Sequence, residues 1–363
     1  MYRMPSFGAR RVLMRDASAL PPHLFDRMVS AIHDADARIG GAVWRTAVLE
    51  AADDAAQGTA RDTPAGARLA FKCENLQRTG SFKVRGALNR IGALTAAERT
   101  RGVVTSSTGN HALAVAYALR RTGVPGRIVL SRAARPHKVA ALRASGVPLE
   151  FVDGGALDAE QAARARAERE GLTYVSPYND PLVMAGQGTI GLEILEQCPD
   201  VEAVYVAVGG GGLIAGIAAA IKAARPEVRV VGCWPAASPA LYEALRAGRV
   251  VEVPEQPTLS DATAGGLEED LVTLPYCRAL IDECVLVAEP AIRDAMRAVL
   301  LRDGMVVEGA AGVALAGYRE LAGRAPEYAR ARSVVVLCGR NVDGAVLRDL
   351  AGDDHAGEPR SPC

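Results

Sequence analysis

The chain has no surplus of charge: lysine plus arginine and aspartate plus glutamate both total 42, so its formal net charge at neutral pH is zero. That balance excludes the basic field that holds nucleic acid or an anionic membrane, and a small molecule is the expected partner. The seven cysteines, Cys73, Cys198, Cys233, Cys277, Cys284, Cys338 and Cys363, form no CxxC pair. Several stand inside apolar runs, where cysteine behaves as a small hydrophobe, and a reducing cytoplasm is the expected compartment. Met1 to Leu20 carries Arg3, Arg10, Arg11 and Arg15 but no continuous apolar stretch, so no secretory signal is expected and residues 1–20 read as a loose, disordered tail. Aromatic residues are only 4%, which suits alanine-rich helices more than broad aromatic sheets. One stretch, Ala203 to Ile221, is uncharged over nearly the length of a membrane span, but four glycines interrupt it. The β-branched half before them and the alanine-rich half after them read as buried strand, loop and helix.

What the chain does have is apolar bulk: 363 residues at 49% apolar composition can fill a substantial core in one large domain or two ordinary ones. Short β-branched runs alternate with stretches of helical spacing: Gly102 to Ser106, Ala112 to Thr122, Arg127 to Leu130, Lys138 to Ser145. The alternation resumes with Ala203 to Val208, Leu213 to Ala224, Val228 to Cys233, Pro239 to Ala247 and Ser333 to Leu337. This is the pattern of βαβ units, so the expected class is α/β with parallel sheets. No internal repeat, heptad run or low-complexity segment is present, and Gly352 to Cys363 reads as a second loose tail.

Three segments place polar or flexible residues where a strand should give way to a helix. Gly209, Gly210, Gly211 and Gly212, followed by Leu213, lie between an expected strand and an expected helix. Without Cβ atoms their N–H groups can converge on an anion, and the helix start adds its positive dipole end; the bland alternative is a flexible linker. Gly210 to Ala215 also satisfies the GxGxxA form of a dinucleotide fingerprint. That form wants an acidic residue after the next strand, whereas Trp234, Pro235 and Ala236 stand there, so a monophosphate fits better. The second segment runs Thr105-Ser106-Ser107-Thr108-Gly109-Asn110-His111 and suits a carboxylate or phosphate, or serves as a plain helix cap. The third is Lys72 to Ala87, in which Lys83 opens an amphipathic helix. A lone lysine is ordinarily a solvated charge, but a helix start is an unfavourable place for a cation and favours an amine used chemically.

Together these segments resemble the fold-type II pyridoxal-phosphate enzymes, specifically the serine/threonine dehydratase and serine racemase family, from about Asp26 to Asp349. The motifs in register are Lys72-x-Glu74-x-x-Gln77-x-Thr79-Gly80-Ser81-Phe82-Lys83-x-Arg85-Gly86-Ala87, then Ser107-Thr108-Gly109-Asn110-His111, then Pro177-Tyr178-Asn179-Asp180-Pro181 with Ala185-Gly186-Gln187-Gly188-Thr189, the glycine loop, and Cys338-Gly339-Arg340-Asn341. The resemblance implies a two-domain, tryptophan synthase β-like fold, each domain an open, mostly parallel sheet flanked by helices. Residues 21–100 and 180–350 would form a large cofactor domain and 101–179 a small inserted one, between tails 1–20 and 351–363. It also implies that Lys83 carries pyridoxal 5'-phosphate covalently, with Phe82 beside the ring and Asn110 bonded to its phenolic oxygen. The amides of Gly209 to Gly212 and Leu213 would cradle the phosphate. Cys338 would face the ring nitrogen, where a neutral group makes the ring a weaker electron sink and favours elimination. Ser107, Thr108, Gly109 and His111 would grip a small amino-acid substrate, with Lys83 and Thr108 in catalysis. Glu308 either lines the pocket or is a helix N-terminal charge.

The implied activity is dehydration of a serine- or threonine-type amino acid to a 2-oxo acid and ammonia, by a homodimer. β-Replacement and racemisation are the alternatives within the fold; a nucleotide-dependent oxidoreductase and a silent cofactor-binding protein are the alternatives outside it. Thr108 stands where racemising members carry serine, and its added methyl disfavours racemisation. Trp234 and Ala240 occupy positions where metal-binding members place acids, so no divalent metal is expected there. No appended regulatory domain is expected after Asn341. Ser260 to Gly266 and Val307 to Gly312 also resemble the dehydratases, particularly those related to hydroxyectoine utilisation.

Overall fold

The computed structural model describes residues 12–13, 15–52 and 68–352. The chain opens with β1 (Val12–Leu13), α1 (Pro22–Ile39), β2 (Val48–Glu50), β3 (Arg68–Lys72), α2 (Lys83–Gly92) and α3 (Ala96–Arg101). There follow β4 (Val103–Ser106), α4 (Asn110–Thr122), β5 (Gly126–Ser131), α5 (Pro136–Arg143), β6 (Leu149–Val152), α6 (Ala156–Glu170) and β7 (Thr173–Tyr174). The next elements are α7 (Pro181–Gln197), β8 (Ala203–Ala207), α8 (Gly212–Ala224), β9 (Arg229–Pro235), α9 (Ala240–Ala247) and α10 (Thr273–Leu280). The described chain closes with β10 (Glu283–Val287), α11 (Glu289–Leu301), α12 (Gly309–Arg324), α13 (Pro326–Arg330), β11 (Arg332–Val336) and α14 (Gly344–Gly352).

Among the described residues the strands form two sheets, in the orders β1-β10-β9-β8-β11-β3-β2 and β6-β5-β4-β7. The second is wholly parallel; in the first, only β1 and β2 at the edges run antiparallel to their neighbours. Parallel strands covered by helices on both faces need apolar side chains on both. Val204, Val206, Val230, Val231, Val334, Val335 and Val336 are accordingly all buried. The uncharged run Ala203 to Ile221 is a strand, a glycine turn and a helix, as expected, and among the described residues no helix is long and apolar enough to cross a membrane. Glycines let α7 and α8 approach closely: a Cβ at Gly216 would lie 2.2 Å from the carbonyl of Met184.

The expectation of a loose tail through residue 20 needs correction. Val12 and Leu13 pair antiparallel with Cys284 and Glu283, Asp16 forms an ion pair with Arg278 at 3.0 Å, and Leu20 is buried. The physical reason is that β10 would otherwise be a bare sheet edge with unpaired backbone groups. Residues 1–11 and 353–363, with Cys363, lie outside the described residues, and of the expected tail at 351–363 the first two residues, Ala351 and Gly352, instead end α14, whose Leu350 is buried. The six described cysteines are all free and buried.

The helix that starts at Lys83 sits between the two cores. Phe82 packs in the apolar cluster of the larger sheet, whereas Val84, Ala87, Leu88 and Ile91 pack with Val103, Val115 and Ile128 of the smaller one. A buried ion network anchors this helix. Arg85 reaches Glu74 through Nε at 2.9 Å and Nη2 at 2.7 Å, and Glu193 of α7 through Nη1 at 2.7 Å. Lys72 bonds Glu193 from the other side and also donates to Gln197 and to the carbonyl of Thr46. Two cations face two carboxylates, which is what makes such burial tolerable. Burial works against Glu74, but the Arg85 guanidinium holds its carboxyl below the ordinary range.

Candidate active site

Lys83 emerges where the two cores meet. Its amine donates to the carbonyl of Pro177 at 2.7 Å and lies 5.2 Å from the ring centre of buried Phe82. Burial pushes the amine down to about 8, against the attraction of Cys338 and Glu308. Near neutral pH such an amine is partly unprotonated, a requirement for a nucleophile or base that a solvated lysine does not meet. It opens onto a cavity of about 180 Å³ whose lining includes Phe82, Asn110, Tyr178, the glycine loop, Glu308 and Cys338.

The glycine loop forms part of that lining. Gly211 has φ +88°, a conformation glycine adopts at no steric cost. A Cβ at Gly210 would lie 2.3 Å from the Tyr178 ring, and one at Gly212 2.8 Å from the Tyr178 carbonyl. Tyr178 thus backs the loop, and its hydroxyl accepts from the Glu268 N–H at 3.3 Å. Beyond the loop, α8 presents its N-terminal end, so backbone donors and the helix dipole act together.

Also in the lining, Asn110, the first residue of α4, donates its amide to both oxygens of Glu308 at 2.9 and 2.8 Å. Asn341 Nδ2 donates to Asn110 Oδ1 at 2.6 Å, which fixes the side-chain amide's orientation. Glu308 is buried just before α12, and burial pushes its carboxyl up to about 7 despite the bonds from Asn110. Cys338, directly after β11, is buried with its sulfur 4.0 Å from Glu308, and burial raises its thiol well above the ordinary value, so it is neutral.

Of the residues singled out in the sequence, the structure gathers Lys83, Phe82, Asn110, Gly209 to Leu213, Glu308 and Cys338 around one cavity. Ser107, Thr108 and Gly109 lie on the loop leading into α4, beside that lining; the Ser107 hydroxyl accepts from the Gly109 N–H at 3.2 Å. His111 departs from expectation. Its ring is buried and lies 2.9 Å from the carbonyl of Val175, and burial lowers it to about 3, with Lys83 adding to the effect. It is a neutral group turned into the fold, so its ring brings no positive charge to a substrate carboxylate. Tyr178, Asn341 and the Ala262 to Gly266 loop also join the site; all three belong to segments that resemble the family, but their contacts are not local in sequence.

These residues suit pyridoxal phosphate. The loop is packed so closely from behind that no Cβ fits on it, its Gly210 and Gly211 N–H groups have no protein acceptor among the described residues, an amine depressed by burial lines the same cavity, and the group beside Glu308 is a neutral thiol. The dinucleotide alternative lacks its acid, since β9 runs on through buried Trp234 to Pro235. A profile described as "Pyridoxal-phosphate dependent enzyme" matches residues 49–339. The chain belongs to this family. Within it, an L-threonine ammonia-lyase of Geobacter sulfurreducens is 44% identical over 279 residues, 77% of this chain and 68% of that protein. A serine racemase of Oryza sativa subsp. indica is 35% identical over 327 residues, 90% and 94% of the two chains. Among solved structures, the processed form of threonine deaminase isoform 2 from Solanum lycopersicum superposes with a TM-score of 0.87 at 30% identity, covering 96% of this chain and all of that one.

Proposed function

We propose that the chain is an ammonia-lyase that removes water from a small β-hydroxy amino acid of the serine or threonine type. The carrying observation is the depressed, buried amine of Lys83 lining one small cavity with a glycine loop. Relatives named for threonine support the substrate class. Lys83 would hold the cofactor, the amides of Gly209 to Leu213 its phosphate, and Phe82 and Cys338 its ring, while Asn110 would bond its phenolic oxygen with one amide hydrogen and keep the other on Glu308. Bound there, pyridoxal phosphate supplies an electron-withdrawing ring that lets a substrate Cα–H bond ionise.

The chain's own groups do the rest. Lys83 Nζ takes the Cα proton, which its lowered basicity allows near neutral pH. Ser107, Thr108 and Gly109 hold the substrate carboxylate at the head of α4. The neutral Cys338 thiol cannot keep a ring nitrogen protonated as a carboxylate would, which favours elimination over chemistry that needs a long-lived carbanion. Water is lost across Cα and Cβ, water returns at Cα, and a 2-oxo acid and ammonia leave.

On this reading residues 101–179 form a small domain that closes over residues 21–100 and 180–350 when substrate binds, in a cytoplasmic homodimer. Ion pairs between Lys138 and Asp261 at 2.9 Å and between Arg164 and Glu268 at 2.7 Å cross from one part to the other and support it. The test is a panel of L-serine, L-threonine and 3-hydroxyaspartate scored for 2-oxo acid, ammonia and D-enantiomer, with Lys83→Ala as control. Product formed by the Lys83→Ala variant at the native rate would end the proposal, and D-amino acid as the main product would replace elimination by racemisation.

A further inference from the structure

The peptide planes of the glycine loop have a definite sense, and a side chain outside the cavity lining sets one of them. Thr273, the first residue of α10, is fully buried, and its hydroxyl donates to the carbonyl of Gly210 at 2.7 Å. The structure has no cis peptides among its described residues, and in a trans peptide the N–H points opposite to the C=O. The Gly211 N–H is therefore aimed away from α10. The next plane follows suit: the Gly211 carbonyl accepts from the Ala215 N–H at 2.9 Å and lies 3.9 Å from the Cys277 sulfur. The Gly212 N–H is thereby aimed off the start of α8. Among the described residues, the N–H groups of Gly210 and Gly211 meet no acceptor.

Contact geometry gives the same orientation independently. A Cβ on Gly211 would come within 3.0 Å of Thr273 Oγ1 and Cys277 Sγ and 2.8 Å of Leu241, so this side of the loop is packed against α9 and α10. Four consecutive glycines lose more conformational freedom on ordering than any other sequence, and a loop of them holds a set of donors only if something outside it does the fixing.

We propose that Thr273 is a positioning residue for the phosphate end of the cofactor: its hydroxyl locks the Gly210–Gly211 peptide so that the Gly211 N–H faces the anion. This rests on reading Gly209 to Leu213 as the phosphate cradle. It assigns a role to the hydroxyl that valine, with the same shape and no donor, cannot fill, and that serine can.

The experiment compares two ligands in the full-length chain stripped of cofactor: pyridoxal 5'-phosphate and pyridoxal, which lacks the phosphate. Affinity for each is measured on the wild type and on Thr273→Val, Thr273→Ala and Thr273→Ser. The wild type is expected to prefer the phosphorylated ligand; the valine and alanine variants lose about tenfold of that preference, the worth of one charge-assisted hydrogen bond. Their affinity for pyridoxal stays within about twofold, and the serine variant keeps the native preference. Equal weakening of both ligands, or an undiminished preference in the valine and alanine variants, overturns the role of Thr273. A wild type that binds both ligands equally overturns the cradle reading itself, and the two failures are thereby told apart.

Discussion

Asn110 and Glu308 stand 198 residues apart and meet through one amide nitrogen and two carboxylate oxygens at 2.9 and 2.8 Å. The pair joins the head of α4, which follows β4 of the smaller sheet, to the head of α12 beside the larger one, so two residues of the cavity lining are tied together by a bond between two halves of the chain. With Asn341 holding the other end of the amide, Asn110 has one way to point.

Glu308 makes stability depend on pH. Its carboxyl rises from an ordinary 4.5 to about 7 on folding, so between those values the folded chain keeps a proton that the unfolded chain has lost. The associated stability is complete below about 4.5 and is lost as pH rises towards 7, by at most roughly 3 kcal/mol. In urea denaturation of the cofactor-free chain, Glu308→Gln should flatten the decline between pH 5 and 7.5. Parallel curves for the two proteins would contradict this.

Lys83 sets a second pH dependence. Only the neutral amine attacks an aldehyde, and burial places its titration at about 8 instead of 10.5. The rate at which the stripped protein captures pyridoxal phosphate, followed by absorbance, should climb with pH and level off just above 8. A rate still climbing at pH 10 would mean that the amine is solvated, and Lys83→Arg should show no covalent capture at all.

Arg85 uses all three of its guanidinium nitrogens on buried partners. Arg85→Ala leaves Glu74 and Glu193 with Lys72 as their remaining buried cation and should cost roughly 3–5 kcal/mol. Arg85→Lys recovers only part of that, because an ammonium cannot reproduce the fork. The denaturation midpoints of the two variants, measured side by side, decide it; a native midpoint in either would be incompatible with the network.

Gly210→Ala should lower affinity for pyridoxal phosphate roughly tenfold or more, because the new methyl would overlap the Tyr178 ring at 2.3 Å and push the loop out of place. Gly109→Ala, whose added Cβ meets nothing within 4 Å, should leave affinity for the cofactor near native. Equilibrium dialysis of both variants makes the comparison, and equal affinities would count against a rigid loop.

Much of the site was legible in the residues. The GGGG run between a β-branched stretch and an alanine-rich one predicts a tight turn into a helix, and Lys83 at a helix start predicts an unusual cation; the structure has both. The Lys72, Glu74 and Arg85 positions of the same motif, by contrast, are a buried ion network and not part of the cavity, and no local pattern distinguishes those uses of charge. His111 was expected to face substrate and turns to Val175 instead, since a helix start leaves open which way the second side chain packs. The first residues were expected to be loose, yet Val12 and Leu13 pair with β10, a partner 270 residues away.

By itself the sequence determined the alternation of strands and helices around the glycine loop, the parallel sheets and the place of Lys83 at a helix start, because periodicity, glycine and helix ends act over a few residues. Only the tertiary structure decided that Glu308 meets Asn110, that Tyr178 and Thr273 back the glycine loop, and that the Lys83 amine lies buried at about 8. Those outcomes depend on which distant surfaces pack together and on how much water they exclude, and neither quantity is carried by any short stretch of chain.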